Sequence, residues 1–290
     1  MKKPKPIAIV IAVICILASV SSCGSGGTVT SSVPSSGTST EVTTPTTDTR
    51  LPTPTSTLPV VTYPPPTPTY PLKTKPNPAS DFTYSIENDS VSITGYNGSD
   101  GDVVIPGEID GKLVTSIDEE AFFACERLTT IKMPSSVTSI RRSAFSGCSN
   151  LAIVTMPDSL ISIGNRAFYG CGFTDITLPD NIISIGDEAF YGCSVLTSIN
   201  IPEGVTSIGY CTFSGCFSLE KISIPDSVTS IDFHALSECI NLQNVSIPNS
   251  VTSIGIGAFY RCSKLIVTCS PNSYVHQYCM MNDIRVKLQT

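Results

Sequence analysis

From about Val114 onward the hydrophobic positions recur with a long fixed period. Cysteine stands at Cys125, Cys148, Cys171, Cys193, Cys216, Cys239 and Cys262, with spacings of 23, 23, 22, 23, 23 and 23 residues. Three residues earlier comes Phe122, Phe145, Phe168, Phe190, Phe213 or Phe259, with Leu236 in the remaining case. Proline keeps the same rhythm from Pro134 to Pro271. Inside one period the pattern changes twice. Ile199 and Ile201 alternate with polar neighbours, which predicts a short strand with those two side chains inward. Pro202 removes a backbone donor and ends it. Val205-Thr206-Ser207-Ile208 predicts a second extended segment on the opposite wall, and Ala189-Phe190-Tyr191-Gly192-Cys193 a tight helical turn that closes the coil. A unit this short cannot bury its apolar face alone, so successive coils must stack and turn each recurring position into a continuous ladder. At about 4.8 Å per layer, seven coils span roughly 34 Å.

An open stack needs covered ends. Tyr84-Ser85-Ile86 and Val91-Ser92-Ile93 alternate around the turn Glu87-Asn88-Asp89-Ser90, which predicts a β-hairpin N-terminal cap, with Val103-Val104-Ile105 beginning the first sheet strand. The interval from Pro106 to Pro134 is five residues too long, placing an insertion near Ile109-Asp110-Gly111-Lys112. After Pro271, Ser273 is positioned to cap a helix carrying Tyr274, Val275, Tyr278 and Cys279, and Ile284-Arg285-Val286 predicts a last strand. The fold class is therefore a repeat solenoid with short parallel β-strands, short helical turns, a hairpin at one end and a helix-strand cap at the other.

The pattern Leu-x-x-Ile-x-Ile-Pro-x-x-Val-x-x-Ile-x-x-x-Ala-Phe-x-x-Cys, met almost throughout from Val114 to Leu265, resembles the BspA-like, or treponemal-type, 23-residue leucine-rich repeats of surface proteins. The resemblance implies a curved solenoid and a role in adhesion or surface interaction. It supplies no ligand, because such folds host many.

The N-terminal quarter reads differently. Lys2, Lys3 and Lys5 precede an apolar run from Ile7 to Val20, too short to span a bilayer but suited to an export signal. Val20-Ser21-Ser22-Cys23 resembles the bacterial lipobox, which implies a lipid on Cys23; an ordinary cleaved signal with a chance cysteine is the alternative. From Gly24 to Ser80, 16 threonines, 12 prolines and 8 serines leave the apolar residues too scattered for a core. Tyr63-Pro64-Pro65-Pro66-Thr67-Pro68-Thr69-Tyr70-Pro71 is expected to be polyproline-like and stiff, and the whole stalk extends to on the order of 180 Å at most. The expected organisation is a signal peptide over 1–22, lipidated cysteine and stalk over 23–80, N-terminal cap and first strand over 81–113, repeats over 114–267 and C-terminal cap over 268–290. The protein is expected outside the cytoplasm, lipid-anchored to a bacterial membrane and exposed at the cell surface.

Charge and composition remove several functions. Losing the three leader lysines takes the net charge from −7 to −10, a surface that repels phosphate backbones and argues against nucleic acid. His234 and His276 are the only histidines. Asp232 lies near His234, but no nucleophile elbow or oxyanion motif accompanies them, and no glycine loop suits phosphate. No catalytic set, metal or cofactor is expected, so the chain does not read as an enzyme.

The cysteine ladder lines up in a row instead of converging on one ion, which favours buried free thiols over disulfides or metal ligation. Cys269 and Cys279 stand outside the ladder as a possible pair, and Cys211 at a variable position is expected to be exposed. Serine recurs at Ser116, Ser139, Ser162, Ser184, Ser207, Ser230 and Ser253, where a buried hydroxyl bonding the adjacent backbone explains the repetition. One row departs from the repeat: Glu119, Arg142, Asn165 and Asp187 give way to Tyr210, Phe233 and Ile256. With His234 and Cys211 beside them, these form a candidate ligand-binding stripe if the turns face solvent; local packing against the C-terminal cap accounts for the same substitutions. The strand positions Thr197, Ser198, Asn200, Glu220, Lys221, Ser223, Gln243, Asn244 and Ser246 offer a second face, suited equally to a protein, a glycan or solvent. The expected partner is a host or cell-surface protein or a glycan, with membrane contact through Cys23 only.

Overall fold

The computed structural model describes residues 73–289. Cys23, the leader and the stalk up to residue 72 lie outside the described residues. Each coil has three walls. The first is a ladder of parallel strands, Asp102–Val104, Thr130–Lys132 and Ile153–Thr155, paired in register. The second is the Ser-Ile ladder, in which Lys112–Ile117 pairs with Ser139–Ile140 and so on through Ser162–Ile163 and Ser184–Ile185. It resumes at Ser207–Ile208, Ser230–Ile231 and Ser253–Ile254. The inward isoleucines, valines and leucines of both walls are buried, with Val154 partly so, as the period-two alternation requires.

The third wall differs from the helical turn that the Ala-Phe-x-x-Cys pattern suggested. Alternate N–H groups turn inward and outward along the chain. Ala189, Tyr191 and Cys193 donate three residues back to Gly186, Glu188 and Phe190, whereas Glu188, Phe190 and Gly192 donate to Tyr210, Thr212 and Ser214 of the next coil. Left-handed residues such as Glu188 (φ 55°) and Gly192 (φ 68°) produce this alternation and stop a helix from propagating. Three such bonds cross every junction from the first coil to the seventh, so the closing arm is a hydrogen-bonded wall in its own right.

The phenylalanine ladder fills the space behind that wall. Tyr96, Phe122, Phe145, Phe168, Phe190 and Phe213 stack with centroids 5.0–5.6 Å apart, close to the layer spacing of a sheet. The cysteines beside it are free and packed, as the linear arrangement implied, but they are more than apolar filler. Each thiol from Cys148 to Cys262 donates to the carbonyl of the ladder phenylalanine or leucine one coil back: Cys193 to Phe168 at 3.1 Å and Cys216 to Phe190 at 3.2 Å are typical. Burial pushes the Cys148 and Cys193 thiols up to about 12.

Several local expectations are corrected. Residues 73–80 belong to the folded cap and not to the stalk. The Lys73 amide donates to Asp102 Oδ2 and the Asn77 amide to the Val104 carbonyl, while Asn77 is itself buried. Cys211 is buried, not exposed. Cys269 and Cys279, which the sequence left open as a possible pair, are buried free thiols. In the recurring serine row only Ser116 is buried, bonded to Ser92 Oγ at 2.6 Å, whereas Ser184, Ser207 and Ser253 face solvent. The hydroxyls that bond the backbone belong to another row: Ser136, Ser159 and Ser227 donate to the carbonyls of Val114, Val137 and Val205.

The caps follow the sequence pattern. Phe82–Glu87 and Ser90–Tyr96 form an antiparallel hairpin whose second strand pairs with Lys112–Ile117. The insertion makes a small hairpin, Glu108–Ile109 against that same strand. The helix Tyr274–Met281 starts at Ser273, whose hydroxyl accepts from the His276 amide, and Arg285–Leu288 closes the first wall. No helix among the described residues is long and apolar enough to cross a membrane.

The first wall is interrupted twice: strand pairing lapses between Lys221–Ser223 and Asn244–Ser246, and more severely at a shortened coil. The interval from Cys171 to Pro179 is one residue shorter than in the other coils. Phe173 takes the leucine position, edge-on to Phe168 and Phe190, and only an isolated bridge from Asp175 to Ser198 survives where a strand is due.

Two predictions test this packing. Phe190→Ala should cost about 3–5 kcal/mol in urea denaturation, the usual loss for a buried ring whose cavity cannot collapse. The raised thiols set a pH window. Between their unfolded value, near 8.5, and about 12 the folded state holds protons that the unfolded chain has released, so stability falls as pH rises through that range. Melting under reducing conditions at pH 7, 9 and 10 should show a progressive drop that is smaller in Cys193→Ala. Ellman's reagent at pH 8 should reach the half-buried Cys125 and Cys262 well before Cys148, Cys193 and Cys216.

Candidate functional site

The third wall presents its outward side chains in rows, one member per coil. The row that becomes apolar, Tyr210, Phe233 and Ile256, does not pack beneath the C-terminal cap. Ile256 is 75% exposed and Phe233 39% exposed, while Tyr210 is half-buried. Cap contacts go elsewhere: the Ile254 amide donates to the Tyr274 hydroxyl, and Tyr278 donates to the Gly255 carbonyl. Tyr210 and Phe233 lie parallel, 5.8 Å apart and 1° from coplanar orientation.

His234 joins this row to the next. Its ring stands edge-on to Phe233 at 4.2 Å and to Tyr260 at 6.0 Å. Gly257 makes the approach feasible, because a Cβ there would come within 2.6 Å of the imidazole. The Arg261 guanidinium lies 5.5 Å from the Tyr260 ring centroid and pairs with Glu238 at 3.0 Å. The result is a continuous line of rings from Tyr210 to Tyr260 with a neutralised charge pair at its end. Exposed apolar surface of this continuity on a folded domain marks an interaction site more often than chance.

Sequence reasoning overlooked part of this surface. The position after the ladder phenylalanine reads Phe123, Ser146, Tyr169, Tyr191, Ser214, Ser237 and Tyr260. Tyr169 and Tyr191 stack at 4.9 Å, and Tyr260 is exposed. Tabulating that row beside the preceding one would have found them. Cys211, placed beside the stripe by the sequence, is buried and contributes no accessible thiol.

The broken coil leaves a second feature. A recess of about 500 Å³ opens on the first wall, bordered by Asp175, Thr177, Asp180, Ser198, Asn200 and Glu203. Of the polar strand positions named from the sequence, Ser198, Asn200 and Ser223 line it, and the others do not. Among the described residues no group of three or more His, Cys, Asp or Glu side chains could hold a metal ion.

Similarity to known proteins follows the repeat. The family model described as BspA type leucine rich repeat region matches in six copies over residues 108–172 and 161–287. A crystal structure of a T. pallidum leucine-rich repeat protein (TpLRR) is similar at 29% identity and a TM-score of 0.64, covering 74% of this chain and 100% of that one. A leucine rich cell surface protein from Faecalibacterium prausnitzii is similar at 31% identity and a TM-score of 0.59, covering 67% of this chain; the alignment spans 54% of that longer protein. No curated protein matches. With its three-walled coils, its ladders and this coverage, the chain belongs to the BspA-type leucine-rich repeat family.

Proposed function

We propose that this is a lipid-anchored bacterial surface protein whose solenoid binds another protein, in an adhesive or scaffolding role and without catalysis. The observation that carries the reading is the exposed ring line Tyr210–Phe233–His234–Tyr260 with Ile256 beside it. A protein partner suits it better than a sugar. Sugar rings stack on aromatic faces, but here the inner faces of Tyr210 and Phe233, like those of Tyr169 and Tyr191, are turned onto each other. What remains outward is largely ring edge and aliphatic surface, which matches apolar side chains at a protein interface. Surface location is supported by the leader and the Val20-Ser21-Ser22-Cys23 sequence, and by the cell-surface description of the Faecalibacterium relative.

A second reading, glycan recognition, is favoured by one feature alone. The recess on the first wall gathers carboxylates, an amide and hydroxyls of the kind that bind sugar hydroxyls.

Two experiments separate these readings. Screened against a panel of extracellular-matrix and bacterial surface proteins, the mature full chain should bind a protein. Tyr210→Ser with Phe233→Ser should then weaken that binding at least about tenfold, the loss typical of removing hot-spot rings, with an unchanged circular-dichroism spectrum. Retained affinity in the double variant sinks the stripe as the site. Binding to a glycan array that is lost in Asp180→Ala with Asn200→Ala would favour the recess instead. For the anchor, the protein expressed in a lipoprotein-processing bacterium should partition into detergent and carry a diacylglyceryl mass on Cys23. Cys23→Ala should move it to the aqueous phase; an aqueous wild-type protein would refute the anchor.

A further inference from the structure

At the recess of about 500 Å³ on the first wall the ladder parts and leaves backbone groups without partners. In intact coils the amide just before the proline donates to the next coil, as Met133 does to Thr155 and Ile201 to Ser223. In the short coil that donor is Leu178 and its acceptor would be the Asn200 carbonyl, but the bond does not form. Because Ile201 turns its amide toward Ser223, the amide and carbonyl of Asn200 point the other way, toward the short coil. Neither of them, nor the Leu178 amide, meets a partner among the described residues. Leu178 and Asn200 both line the recess.

The charges around the recess depart from the arrangement on the third wall. There, charged side chains at equivalent positions of neighbouring coils have opposite signs and pair, as Arg141 with Asp118, Arg166 with Glu188 and Arg261 with Glu238. The turn after the proline does the opposite. Asp158, Asp180, Glu203 and Asp226 occupy one position in four successive coils, all exposed, and no described basic side chain pairs with any of them. Like charges in register on adjacent layers repel. Asp180 and Glu203, the middle two, border the recess with Asp175, and no Lys, Arg or His lines it. The Asp175 carboxylate is oriented by the hydroxyls of Thr174 and Thr197, each donating at 3.1 Å.

These features define what an occupant must carry. The carboxylates and the Asn200 carbonyl call for donors and for positive charge. The amides of Leu178 and Asn200 call for acceptors, which an ammonium or guanidinium group does not have. The floor, made by Ile176, Leu178, Ile199 and Ile201, is apolar. A sugar ring meets the last two demands, because its hydroxyls both donate and accept and its C–H face is apolar. An amino group on that ring meets the first. The volume falls within the range of small-molecule sites, about 300–1,000 Å³.

We infer that the first-wall recess binds a sugar carrying a free, protonated amine, with the ammonium between Asp180 and Glu203 and the hydroxyls on the open backbone of Leu178 and Asn200. The inference rests on the glycan reading of this recess and narrows it from sugars in general to cationic amino sugars. Asp158 and Asp226 continue the carboxylate row on either side, so a chain of such sugars lying along the stack would meet further negative charge beyond the recess. The rival occupant is a lysine or arginine side chain of a protein. It matches the carboxylates but leaves the two amides unanswered, which favours the sugar.

Isothermal titration calorimetry on the mature full chain tests this, in a mildly acidic buffer that keeps the amines protonated. A β-1,4-linked glucosamine disaccharide should bind at least about tenfold more tightly than its N-acetylated form or cellobiose, the effect expected of a charge-assisted contact. Asp180→Asn with Glu203→Gln should abolish that preference and leave the circular-dichroism spectrum unchanged, since both side chains are exposed. Equal binding of the neutral sugars leaves the glycan reading standing and overturns the amino-sugar inference. Binding of none of the three overturns both. Spermidine, a plain cation, should bind more weakly than the amino sugar. Spermidine binding as tight as the amino sugar's, or a preference that persists in the double variant, overturns the inference as well.

Discussion

A backbone N–H group in this protein typically finds its partner one coil away, some 23 residues along the chain, and does so on three walls at once. Every other feature is subordinate to that requirement. A buried amide left unpaired is costly, so each coil must copy the backbone of its neighbour closely enough to keep all three ladders in register. The recurring residues are those the copying needs. Proline ends the first strand, small or left-handed residues turn the closing arm, and phenylalanine sets a stacking distance that matches the sheet spacing. Cysteine fits here because a thiol is small, apolar and able to donate weakly to a carbonyl.

The same requirement explains where the structure lapses. A coil one residue short keeps its third wall, but strand pairing lapses on the first wall and, between Ser184–Ile185 and Ser207–Ile208, on the second. The polar recess around Asp175 and Asn200 follows from that local failure. At the N-terminus the shortened arm before Asp102 has a parallel effect on the third wall, where the carbonyls of Ala121 and Phe123 accept no N–H group from any described residue. Sites in a solenoid thus arise in two ways: by changing outward side chains without disturbing the copy, as at Tyr210 and Phe233, or by interrupting the copy itself.

Functional separation follows from these two routes. The ring line on the third wall sits on an intact backbone, so its side chains can be changed with little effect on folding. Ion pairs bridge the same wall in other coils, as between Arg166 and Glu188 at 2.9 Å, and show that outward positions tolerate very different chemistry on one scaffold. Their exposure keeps their contribution to stability small.

The sequence alone determined the architecture, because a 23-residue period with strand alternation and a fixed proline admits few ways to bury its apolar positions. It located the hairpin, the inserted residues near Ile109, the Ser273 cap and the free thiols. It also located the apolar row at Tyr210, Phe233 and Ile256, since a side-chain substitution in a repeat is visible in one dimension. What it did not reveal depended on backbone direction. The closing arm reads as helical because alanine, phenylalanine and cysteine are spaced for a turn, whereas left-handed residues such as Glu188 and His234 send alternate amides to the next coil. That choice brought His234 over Gly257 to join Phe233 with Tyr260, and left the carbonyls of Ala121 and Phe123 with no N–H donor among the described residues. Each depends on which way a peptide group points relative to a neighbouring coil, and that is settled only when the coils are stacked.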